Sequence, residues 1–64
     1  MDVDEVKAIL DRAREKLASV VADDRSDLES QIRRVEAAQQ SADPDDLEDA
    51  LAELEDLLLF LEEE

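Results

Sequence analysis

The sequence predicts an all-α fold, a small antiparallel three-helix bundle. Three observations predict it. Apolar residues recur at spacings of three and four in three separate segments, the signature of amphipathic helices. No segment alternates with period two, as a half-buried strand would. Ala, Leu, Glu, Arg and Gln are abundant while Gly is absent, a composition that favours helix.

The first helix is expected over about residues 3–21. Val3, Val6, Leu10, Ala13, Leu17 and Val20 form one stripe, and Ile9 and Val21 widen it. Asp2, Asp4 and Glu5 stand where the helix macrodipole favours negative charge. Ala22-Asp23-Asp24-Arg25 interrupts the apolar rhythm and reads as a turn. Ser26 with Glu29 three residues on makes a capping box, with Asp23 or Asp24 as competing caps.

The second helix is therefore expected over about residues 26–40. Its stripe is Leu28, Ile32, Val35 and either Ala38 or Gln39, the weakest of the three. Ala37 and Ala38 suggest close approach to a neighbouring helix. The third helix has the clearest start. Asp43 can cap, and Pro44 suits the first helical position, where its missing N–H costs nothing. Leu47, Leu51, Leu54, Leu58 and Leu61 then continue to about residue 62, flanked by Ala50 and Leu57. The final Glu62-Glu63-Glu64 opposes the dipole, and that end is expected to fray.

Short turns make these helices antiparallel neighbours in one domain covering residues 1–64. The chain holds eighteen large apolar residues besides Met1. Fully burying each contributes roughly 1.5–3 kcal/mol. Domains of this size bury only about 60% of their unfolded surface, so stability must come from helix propensity and dense packing, or from a partner. There is no internal repeat.

The 64 residues include 21 acids, seven bases and no His or Cys, for a net charge of −14. Without Cys or His, zinc fingers, Cys–His catalysis, haem ligation and disulfide frameworks are excluded. Without Gly, phosphate-cradling loops are excluded. The negative balance argues against a nucleic-acid backbone or an anionic membrane surface as partner. The charge is also lopsided. Residues 1–34 carry nine acids against seven bases, while residues 35–64 carry twelve acids and no base. Only Arg12, Arg14, Lys16, Arg33 and Arg34 are placed to pair with the third helix.

No residues qualify as catalytic or as cofactor ligands. Asp43, Asp45, Asp46, Glu48 and Asp49 bunch carboxylates that could attract a hard cation. The calcium-loop pattern and its turn glycine are missing, and helix capping explains the cluster, so no metal site is assigned. Ser19, Ser26, Ser30 and Ser41 lack a His to activate them. No enzyme is expected. The most informative apolar feature is Leu57-Leu58-Leu59-Phe60-Leu61. One helix of a three-helix bundle cannot turn five consecutive residues inward. Leu57, Leu59, Phe60 and Leu61 are the candidate partner or dimer surface. An acidic helical surface could also mimic nucleic-acid phosphates and occupy a basic groove.

The run Lys16-Leu17, then Ala22-Asp23-Asp24-Arg25-Ser26-Asp27-Leu28-Glu29-Ser30, resembles the helical lid of DnaK-type chaperones of the seventy-kilodalton heat-shock family. The resemblance continues through Val35-Glu36-Ala37-Ala38, the turn with Asp43, Leu47-Glu48-Asp49-Ala50 and Glu53-Leu54, from about Val6 to Leu61. It implies an excised C-terminal subdomain or a lone relative, without ATPase or catalytic residues, that helps a longer chain close over bound peptide. It implies a cytoplasmic location. It also implies as partner the remainder of a chaperone chain or another protein helix, and a homodimer where the preceding lid helix is missing. The chain ends in Glu62-Glu63-Glu64 rather than in the acidic Val-Asp tetrapeptide that tetratricopeptide helpers recognise, so that partnership is not implied. The alternative expectation is a stand-alone acidic module that docks through its third helix.

Overall fold

A computed structural model describes residues 3–62. Among the described residues there are three helices and no strand: α1 (Val3–Leu17), α2 (Ala22–Ser41) and α3 (Pro44–Glu62). They pack against one another as an all-α bundle with Cα extents of 32 × 18 × 16 Å. The long dimension is that of α2 alone, because 20 residues at a rise of about 1.5 Å each span about 30 Å.

The core follows the stripes. Val6, Ile9, Leu10 and Ala13 of α1 meet Leu28, Ile32, Val35 and Ala38 of α2 and Ala50, Leu51, Leu54, Leu58 and Leu61 of α3. Leu17, Val20, Leu47 and Leu57 are half-buried against this cluster. Every buried residue among those described is apolar. The second helix settles its open position in favour of Ala38, which is buried, while Gln39 and Ala37 are exposed. Val3 is 75% exposed, and burial on α1 starts one turn later at Val6.

The boundary between α1 and α2 differs from the sequence expectation. The first helix ends at Leu17, not near Val21, and the second begins at Ala22, not at Ser26. Ser19 explains part of this. Its Oγ donates to the Lys16 carbonyl at 3.1 Å and its amide donates to the same carbonyl at 3.0 Å. This local hydrogen bonding competes with helix propagation. Val21 is extended, with φ −70° and ψ 164°, and its carbonyl accepts the Arg25 amide at 2.8 Å as the N-cap position of α2. It supplies no side-chain cap. Asp23 and Asp24 instead lie in the first turn, where negative charge is stabilising. Ser26 is thus an exposed residue inside α2 rather than its cap, and Ala22–Arg25 is helix rather than turn.

The boundary between α2 and α3 agrees with expectation. Asp43 Oδ1 accepts the amides of Asp45 and Asp46 at 3.1 and 3.3 Å, and the Asp43 carbonyl accepts the Leu47 amide at 3.0 Å. Pro44 has no amide hydrogen to satisfy. The first-turn donors of α3 are therefore all accounted for. α2 ends on Ala42 in the left-handed region, φ 58° and ψ 31°, with its amide directed to the Gln39 carbonyl at 3.4 Å. Glu63 and Glu64, where fraying is expected, lie outside the described residues.

Candidate docking surface

Helix geometry divides the apolar run at the end of α3. Successive residues turn by about 100°, so five in a row sweep the whole circumference. Leu58 and Leu61 are buried, at 1% and 5% exposure, and Leu57 packs half-buried against the core. Leu59 and Phe60 are 55% and 52% exposed. The candidate surface of Leu57, Leu59, Phe60 and Leu61 therefore contracts. Leu61 belongs to the core and leaves it, Leu57 is only a half-buried edge, and Leu59 and Phe60 remain.

A second pattern on α3 lies beneath this pair. Asp45, Asp49, Ala52, Asp56 and Leu59 are spaced 4, 3, 4, 3 and are all exposed. The core stripe from Leu47 to Leu61 has the same spacing. One helix thus carries two parallel ridges, one leucine-rich and inward, the other aspartate-rich and outward. Leu59 and Phe60 cap the outer ridge at its C-terminal end. The spacing is plain in the sequence, but the aspartates dilute it as an apolar signal.

The ion pairs leave this ridge untouched. Arg34 of α2 pairs with Glu53, and Arg12 of α1 reaches Glu62 at 2.5 Å. Arg14 pairs instead with Glu36 of α2 at 3.3 Å and with Asp11 of its own helix at 3.8 Å. Of the bases expected to serve α3, two do so. Arg33 and Lys16 form no ion pair among the described residues. Nor do the carboxylates of Asp45, Asp46, Glu48, Asp49, Glu55 and Asp56. Each exposed pair is worth about 0–1 kcal/mol. They orient the helices while the acidic outer face of α3 stays uncompensated.

One shallow concavity at the α2–α3 turn is lined by Ala38, Gln39, Ala42, Asp43, Pro44 and Leu47. A second, at the opposite end, is lined by Lys16, Ser19, Val20, Val21, Asp24 and Leu61. The carboxylate of the first caps α3, and in the second the Ser19 hydroxyl donates to the Lys16 carbonyl. Among the described residues no three carboxylates converge to hold a metal ion. In the cluster around Pro44, Asp43 is committed to capping. Among the described residues no helix is long and apolar enough to cross a membrane.

No known protein family, curated protein or solved structure matches this chain.

Proposed function

We propose that this chain is a non-enzymatic docking module of the lid type, a helical subdomain that covers or braces another polypeptide surface as the distal lid does in DnaK-like chaperones. The observation that carries this reading is the Leu59–Phe60 pair. Two large apolar side chains, each more than half exposed, stand on a side of α3 the bundle does not use. The bundle satisfies its own core without them. Exposed apolar surface of this kind marks a site of interaction when it is contiguous and rimmed by polar groups.

The test starts from the gene. Under the lid reading, the reading frame upstream of Met1 encodes ATPase and peptide-binding segments. Deleting residues 1–64 from that product then speeds release of a bound fluorescent peptide several-fold. An independent short reading frame, or release unchanged by the deletion, removes the lid assignment and leaves the stand-alone module.

A further inference from the structure

We infer that the outer ridge of α3 docks a basic amphipathic helix of another protein. The partner's apolar residues lie over Leu59 and Phe60, and its lysines or arginines lie along Asp45, Asp49 and Asp56. This rests on the docking-module reading and names the partner's chemistry. It begins with what the ridge presents. Its apolar contact is confined to the C-terminal end, at Leu59 and Phe60. The preceding turns offer exposed carboxylates at helical spacing, with the small Ala52 between them. A cylinder carrying one apolar end and a row of positive charge complements this surface along its length. Helix-in-groove recognition reads such anchors at i, i+3, i+4 and i+7.

Charge decides against the other occupants. The carboxylates of the ridge have no internal partner, so docking a cationic helix neutralises charge that the fold leaves bare. A second copy seated through its own α3 would bring an equally acidic face against this one, because α3 holds no Lys or Arg. Like charges set face to face oppose association. The other helices offer no matching stripe. Lys7 and Lys16 of α1 are nine residues apart, which places them about 180° apart around the helix. Arg12, Arg14 and Arg34 are already engaged with Glu62, Glu36 and Glu53. Among the described residues Arg33 is the one free base of α2, since Arg25 donates to the Leu17 carbonyl and Arg34 pairs with Glu53, so no helix aligns two free bases beside an apolar stripe. An anionic membrane or a nucleic acid is repelled for the same reason.

The experiment is a calorimetric titration of the intact chain with two synthetic helical peptides. Both carry one leucine stripe, flanked by lysines in the first and by glutamines in the second. The lysine peptide is expected to bind at least about tenfold more tightly, with an affinity that falls as salt rises. Leu59→Ser with Phe60→Ser, both at exposed positions, weakens it about tenfold or more, a change of about 1.4 kcal/mol per decade. Asp49→Asn with Asp56→Asn weakens it more than Glu15→Gln with Asp27→Asn, which removes the same charge from α1 and α2. Circular dichroism melts verify that each variant remains folded.

Equal losses from the two charge-matched variants reduce the binding to diffuse attraction and overturn the proposal. So do comparable affinities for the two peptides, or no binding at all. Sedimentation showing a dimer that Leu59→Ser with Phe60→Ser dissolves assigns the face to a second copy and overturns it too. Failure here leaves the peptide-release test standing, and failure there leaves this titration standing, so the two readings are separable.

Discussion

Arg25, in the first turn of α2, donates from Nε to the carbonyl of Leu17, the last residue of α1, at 3.2 Å. A guanidinium thus sits at the negative end of the first helix and satisfies one of its orphan carbonyls. The same contact holds the α1–α2 connection in its observed course. Arg25 occupies the segment that the sequence pattern marks as a turn. Its side chain does part of the work of a turn while its backbone is helical.

Replacing Arg25 by Ala removes this cap. The bond is exposed, so the expected loss is about 0.5–1 kcal/mol, that of an ordinary hydrogen bond and below the range for charged groups, because solvent screens the charge. Lysine keeps the charge without the planar fork and is expected to recover only part of the loss. Urea denaturation measures both variants. An unchanged midpoint for Arg25→Ala denies the contact any energetic role.

Ala42 is the one described non-glycine residue with positive φ. The left-handed region costs an ordinary L-residue roughly 1–2 kcal/mol. Glycine adopts it freely but loses more chain entropy on folding, about 0.5–1 kcal/mol. Ala42→Gly is therefore expected to stabilise the protein by about 0.5–1 kcal/mol. A lower melting temperature for this variant contradicts the assigned backbone geometry.

Leu54 is fully buried at the centre of the α3 stripe. Truncation to Ala costs about 2–5 kcal/mol in a packed core. A domain of this length rarely holds more than about 3–5 kcal/mol of stability. Leu54→Ala is expected to leave the chain largely unfolded at 25 °C by circular dichroism, whereas Leu59→Ala, at an exposed position, should stay within about 0.5 kcal/mol of the parent. Similar losses at the two positions would refute the inward and outward assignment of α3.

Salt should raise the melting temperature. The ion pairs of Arg12, Arg14 and Arg34 are exposed and weak, whereas the unpaired acids of α3 repel one another along a single helix. Screening shortens the reach of that repulsion from about 10 Å at 0.1 M to about 3 Å at 1 M. A melting temperature that is constant or falls between those concentrations would mean that the pairs outweigh the repulsion.

The legible and illegible parts of this fold trace to particular residues. The start of α3 is readable because Asp43 and Pro44 act together: one caps and the other tolerates the first position. The start of α2 is misleading because two signals compete. Ser26 and Glu29 spell a capping box, but Asp23 and Asp24 stabilise an earlier first turn by charge, and Arg25 secures the join to Leu17. A local motif says that a cap is available, not that the helix must begin there. On α3, the 4-3-4-3 stripe already places Leu61 inward, and its burial follows. The apolar run alone would put Leu61 on the surface, but the helical period outweighs it. The ion pairs lay beyond reach, since which base meets which acid depends on how the helices sit side by side.

The ring of Phe60 has a practical consequence. It is the only aromatic side chain in the chain, which also has no His. In deuterated water, with exchangeable protons replaced, the aromatic region of the proton NMR spectrum holds the signals of this one ring. That ring stands on the exposed side of α3. A partner settling there changes its shielding directly, so occupancy of the face can be followed at a single unassigned resonance cluster, without labels and without substituting a residue.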